Sequence, residues 1–395
     1  MFRLSADLDA PINLKRLTTA YEHMLVRCPY YRVQLRRGLF WYYIEPCKTK
    51  AHVEAESRYP CMYIPFKRRG MLPFRVLAYK NRVIFEVAHL ITDGTGALNF
   101  LNGIILEYLR LSGHIIDSQE QVLDCEKPLD PDEFEESFTK QYEKGIPSPS
   151  RVDRSYQIKG KGFHAPKFNI IEGIMDSAAL KKEAMRYDVT IGEFLTALLI
   201  DTCQNEMYEH SLLKRPIRIS IPINLRKIFP SKTMRNFALT VEPGIDPRLG
   251  HFSFEDVIRK VQQFMKMELD HRFIKRQIAR NVGSEKNPFV RILPLWLKDP
   301  ILKRFYEVFG SITFTMSFSN LGRVELPEGM HPFVKSYQFI PPPHRKKVSA
   351  TSIAYDGKTS VLFGSTIDNR SVEQRFFSRL RKMGIHVTIR TNGSE

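Results

Sequence analysis

The stretch VIFEVAHLITDGTGALNFL, Val83 to Leu101, changes its period halfway along. Residues 82–88 alternate, with Val83, Phe85 and Val87 on one face, which is the pattern of a half-buried strand. From Ala97 onward Leu98, Leu101, Ile105 and Leu109 recur at helical spacing. Between the two lies His89-Leu90-Ile91-Thr92-Asp93-Gly94, so the histidine leaves the end of a strand and the aspartate lies just before a helix. A histidine titrates near neutral pH, and a strand end holds it firmly enough for general base chemistry. Asp93, with Gly94 and Gly96 beside it to relax the backbone, can bind a cation or backbone donors and pin the turn. The competing reading makes Asp93 a plain helix N-cap and His89 a core histidine. A dinucleotide fingerprint at GTGALN fails, because its third glycine position is Asn99.

HLITDG resembles the HxxxDG signature of the coenzyme A-dependent acyltransferase superfamily, which includes chloramphenicol acetyltransferase, peptide-synthetase condensation domains and alcohol acetyltransferases. Three further stretches, RRGLFWYYIEP (36–46), IPINLRKIFPSKTMRNFALTVEPGID (221–246) and SFSNLGRVELP (317–327), are similar to the alcohol acetyltransferase-like bacterial branch. The resemblance implies a pseudo-dimer of two chloramphenicol acetyltransferase-like subdomains, with a tunnel between them and the histidine near its middle. It implies acyl transfer, most readily of acetyl, from acyl-coenzyme A as co-substrate to a small or lipid-like alcohol or amine, without an acyl-enzyme. His89 would be the base, Asp93 its structural partner, Gly94 and Arg226 the support of the site, and Ser319 or Asn320 a donor to the oxyanion. Arg226 follows a strand end in the second half, from which it can answer Asp93 or a surface carboxylate; for Asn320 a plain Asn-Leu-Gly turn is the alternative.

Two other readings stay open: the same chemistry with the acyl group on a carrier protein, and a non-catalytic or truncated relative acting as a binding protein. The DFGWG segment of condensation and plant-type relatives is absent here, with SFSNLG the nearest stretch in position. Relatives of this branch usually carry a further short segment ahead of FRLSADLD, so part of the first subdomain or one tunnel wall is expected to be missing.

With 395 residues, 43% of them hydrophobic, the chain has enough apolar material for two half-size cores, and a monomer is expected. EFLTALLI (193–200) stops at Asp201, and no apolar run reaches spanning length, so a soluble cytoplasmic protein is expected. Five scattered cysteines with no Cys-x2-Cys pair argue against disulfides or zinc and for a reducing compartment. HExxH, GxSxG and Walker A motifs are all missing, so no metal or bound cofactor is expected. The net charge of +17 is dispersed in pairs and triples such as Lys67-Arg68-Arg69. It suits a phosphate-rich coenzyme A or an acidic carrier protein, or simply a solvated basic surface, and no nucleic-acid-binding pattern accompanies it.

Taken in order, the alternation of mixed strands and helices predicts two α/β sandwiches side by side. The boundaries read as a subdomain over 1–112, a crossover over 113–167 and a second subdomain over 168–395. Within the first, Phe40-Trp41-Tyr42-Tyr43 reads as core packing rather than a stacking surface. The crossover, acidic over Asp117–Glu136, reads as a solvated linker, partly helical from Pro131 to Lys144. In the second subdomain one long helix is expected over 254–281 and a shorter one over 300–309.

Overall fold

Strict alternation in β1 (Phe2–Leu8) buries Phe2, Leu4, Ala6 and Leu8 in one apolar core and turns Arg3, Ser5 and Asp7 to the other face. In the computed structural model, which describes residues 1–56, 59–119, 122–147, 153–210, 214–286, 288–305, 312–343 and 346–392, this strand is central to the first sheet. The order is β12 (Val334–Ile340), β1, β6 (Arg82–Val87), β5 (Phe74–Tyr79) and β4 (Val53–Ala55). Val83, Phe85 and Val87 join the same core, under α1 (Leu14–Arg27) and α2 (Gly94–Leu111), with Phe2 opposite Val87 in register. One strand of the expected second subdomain, β12, therefore completes the first sheet by pairing antiparallel to β1.

The second sheet runs β10 (Gly244–Ile245), β8 (Ile217–Asn224), β11 (Met316–Arg323), β13 (Val348–Tyr355), β14 (Lys358–Ser365), β7 (Asn169–Asp176) and β15 (Thr388–Thr391), with β9 (Ala238–Val241) also on β8. Its core is closed by α4 (Ser177–Met185), α5 (Ile191–His210), α6 (Phe254–Glu268) and α10 (Ser371–Lys382), through Leu180, Phe194, Leu198, Val257 and Phe376. A capping box starts α5: Thr190 Oγ1 accepts from Glu193 N at 3.2 Å and Glu193 Oε2 accepts from Thr190 N at 2.9 Å. Two comparable α/β layers side by side are the architecture the alternation of elements implies.

Four expectations need correction. The helix over 254–281 is two, α6 and α7 (His271–Lys286), because Asp270 accepts from Arg272 N at 2.9 Å and starts a new helix where the first has ended. Beyond a single turn of helix, α8 (Pro288–Ile292), the shorter helix begins earlier than predicted, as α9 (Leu295–Phe305); the end expected at 309 lies outside the described residues. The aromatic run in the hairpin of β2 (Val33–Arg37) and β3 (Tyr42–Pro46) is not core: Phe40, Trp41 and Tyr43 are exposed, because this two-stranded sheet stands apart from both large ones. The crossover is not a solvated linker either. Its helix is only a 3₁₀ turn over Pro131–Phe134 and α3 (Ser137–Lys140), but its acids are committed: Glu133 pairs with Arg27 at 2.6 Å, both buried, and Asp124 with Arg110 at 2.6 Å. Burial alone would raise the Asp124 carboxyl, but hydrogen bonds from Arg110 and the Glu126 amide bring it down to about 2.

Among the described residues no helix is long and apolar enough to cross a membrane, and no cluster of three or more His, Cys, Asp or Glu could hold a metal. The five cysteines are thiols, not disulfides. One buried carboxyl stands against the fold: both oxygens of Glu373 lack a hydrogen-bond partner, and burial pushes it up to about 7. A native pKa above the unfolded value means that the folded state holds its proton between about pH 4.5 and 7, so stability falls as pH rises through that window. Glu373→Gln is therefore expected to raise the melting temperature at pH 8 and to leave it nearly unchanged at pH 4, as read by calorimetry at both pH values.

Candidate active site

Every polar capacity of Asp93 is used. One carboxylate oxygen accepts from the first-turn amides of α2, Thr95 N at 3.1 Å and Gly96 N at 3.0 Å. The other accepts from Arg226 Nη1 at 2.7 Å and from Phe237 N at 2.8 Å, both in the loop that follows β8. Asp93 is thus an N-cap and an ion-pair partner together, almost wholly buried, and it sews the start of α2 to the second half of the chain. Arg226 is equally committed, donating from Nε to Thr233 O at 2.7 Å and from Nη2 to Arg235 O at 2.7 Å. Its partner is Asp93, not a surface carboxylate.

Around this pair the packing leaves no slack. Thr92 Oγ1 donates to Met234 O at 2.7 Å and accepts from Tyr31 OH at 3.0 Å, a phenol that burial keeps protonated. A Cβ on Gly96 would lie 2.3 Å from both Met234 O and Thr92 Oγ1, so only glycine lets the helix start against that loop. A Cβ on Gly94 would meet Leu321 at 2.6 Å, which brings the end of β11 onto the same turn. Asn224 Nδ2 donates to Thr95 Oγ1 at 3.1 Å.

His89 sits just beyond β6, exposed and not part of the core. Its ring lies against Phe2, with centroids 4.4 Å apart, and its carbonyl accepts from Asn236 Nδ2 at 3.4 Å. Ser319 and Asn320 are on β11, opposite Thr351 and Ser352 of β13. Asn320 Oδ1 accepts from Gly322 N at 2.9 Å, so that oxygen has the turn role given above as the alternative. Met234, Asn236 and Phe237 also hold the turn; they lie inside the 221–246 stretch, but nothing in their spacing marks them. Phe2 gave no signal either, since its contact with His89 exists only through the β1–β6 register.

A cavity of about 690 Å³ opens between the halves, walled by Cys61 and Tyr63 from the first, Phe163 and Lys167 from the crossover, and Lys346 and Lys347 from the second. No carboxylate is among the described residues that line it. His89 is not in its wall, whereas the resemblance places the histidine near the middle of a tunnel.

No family model and no curated protein matches the chain in sequence. Solved structures do match its fold. Polyketide synthase associated protein 5 from Mycobacterium tuberculosis aligns over 96% of this chain and 93% of its own at 11% identity, with a TM-score of 0.65. The first condensation domain of the calcium-dependent antibiotic synthetase, in complex with a substrate analogue, covers 98% and 93% at 12% identity and a TM-score of 0.63. The condensation domain of the monacolin K polyketide synthase covers 97% and 90% at 12% identity and 0.60. The chain therefore has the two-subdomain, chloramphenicol acetyltransferase-like fold of condensation domains.

Removing one member of a buried, hydrogen-bonded ion pair strands the other. Asp93→Ala and Arg226→Met are each expected to cost about 3–5 kcal/mol in urea unfolding, and the double variant less than their sum. Additive losses would show that the pair does not act as a unit.

Proposed function

We propose that the protein is a condensation-type acyltransferase that moves an acyl group from a pantetheine thioester to an amine or alcohol, with His89 as general base. The observation that carries this reading is the division of labour within HLITDG: Asp93 is consumed by structure, while His89 is exposed at a strand end with its backbone fixed. In the step, the imidazole takes the proton of the acceptor as its oxygen or nitrogen attacks the thioester carbonyl. The tetrahedral intermediate then collapses, the C–S bond breaks, and the thiolate leaves with that proton. No nucleophilic Ser or Cys is required, because alignment of two bound substrates supplies much of the rate. The Ser319 hydroxyl, half-buried on β11 two residues from the Leu321 contact with Gly94, is our candidate donor to the oxyanion.

The donor in this reading is an acyl carrier protein, the partner class for which condensation folds are suited. A second reading keeps the same base but takes free acyl-coenzyme A, with acetyl as the acyl group and a small or lipid-like alcohol or amine as acceptor, as in the alcohol acetyltransferase branch. It draws on Lys167 and Lys347, exposed in the wall of the inter-half cavity, which suit a phosphate without an opposing carboxylate.

Thiol release from a loaded carrier protein and from acetyl-coenzyme A, across a panel of amines and alcohols, separates the two donors. His89→Ala should lower release at least a hundredfold with an unchanged melting temperature. Acceptor-dependent release that survives in His89→Ala refutes the assigned base, and silence with both donors refutes the transferase reading in favour of a binding protein.

A further inference from the structure

The two tryptophans of the chain lie 255 positions apart, and the fold brings their segments together on one exposed surface. Leu295 N donates to Leu39 O at 2.8 Å, Lys298 Nζ donates to Phe40 O at 2.9 Å, and Tyr42 OH donates to Asp299 Oδ2 at 2.7 Å. The buried Lys298 ammonium also lies 3.6 Å over the Trp41 ring. These bonds fix the tip of the β2–β3 hairpin to the first turn of α9, so the two move as one body.

What this body shows to solvent is apolar. Trp41 is 40% exposed and Trp296 66%, and Leu39, Phe40, Tyr43, Ile292 and Ile301 are also open. On α9, at about 100° per residue, the exposed Trp296, Leu297, Pro300 and Ile301 share one arc of roughly 140°. An ordinary surface helix turns that arc polar, and this one is reversed. Its flanks are cationic: Arg37, Lys67, Arg68, Arg69 and Arg291 are exposed, and Lys67 lies 4.9 Å over the Tyr42 ring. The acids within the patch are engaged, Asp299 with Tyr42 and Glu45 with Arg36 at 3.2 Å.

We propose that this surface docks on an anionic lipid bilayer, with Trp41, Trp296 and Ile301 entering the headgroup boundary and the basic rim facing the phosphates. Charge complementarity selects this occupant: a second copy of a chain of net charge +17 would oppose like charges, whereas acidic lipids neutralise them. Paired tryptophans, tyrosines beside them and aliphatic side chains between are the composition that settles at an interface. The inference does not depend on the acyl-transfer reading.

Both tryptophans are in the patch, so intrinsic fluorescence reports it directly. The full chain, mixed with phosphatidylcholine vesicles containing phosphatidylglycerol, should sediment with them and shift its emission to the blue; pure phosphatidylcholine should bind it far less, and added salt should release it. Arg68→Ser/Arg69→Ser should weaken binding about fivefold per arginine, and Trp296→Ser/Ile301→Ser at least tenfold, with melting temperatures showing that both variants are folded. Emission and sedimentation unchanged by anionic vesicles overturn the proposal. So does vesicle binding that both variants retain, or a vesicle-independent dimer or an acidic protein complex that Trp296→Ser/Ile301→Ser abolishes.

Discussion

A single carboxylate with four donors decides how the two halves of this protein meet. Asp93 takes two bonds from the helix it starts and two from the far half of the chain, and none of its oxygen capacity is left for a substrate. A buried carboxylate is costly unless it is fully paired, so this arrangement permits one docking of α2 against the loop after β8 and penalises others. The glycines either side of Thr95 belong to the same constraint: they let backbone and Leu321 approach within distances that no side chain would tolerate. His89 inherits its position from this junction, since the turn between it and Asp93 is held from both sides.

Electrostatic clamping extends outward from there. The crossover carries Glu133 to Arg27 of α1, and its backbone at Glu133 accepts from Met234 N at 2.6 Å, in the loop that α2 abuts. A segment whose composition looks like a tether thus braces the turn. On the polar face of the first sheet, Glu86 is fully buried yet held by Arg75 at 2.6 Å and by the Cys61 amide at 2.7 Å, and Gln338 of β12 reaches Glu172 of the second sheet at 3.0 Å. The halves therefore meet across charges and amides as well as across apolar contacts such as Ile340 with Phe168, Ile170 and Leu362, and the polar pairs give a definite register between them.

Periodicity in the sequence determined element types, because the 2.0 and 3.6 repeats are local properties of the chain: β6 and α2 follow from their own residues. It also marked His89 and Asp93 as a unit, since a strand end, a tight turn and a helix start fit within a dozen positions. Tertiary structure alone decided the rest. Which of its two possible partners Arg226 takes across 133 positions, that β12 joins the first sheet, that Glu133 and Asp124 of the crossover are buried and that the hairpin aromatics face outward all depend on which distant segments become neighbours. A side chain's burial is fixed by what packs over it, and the hairpin carrying Trp41 pairs with neither large sheet, its tip being held by the first turn of α9.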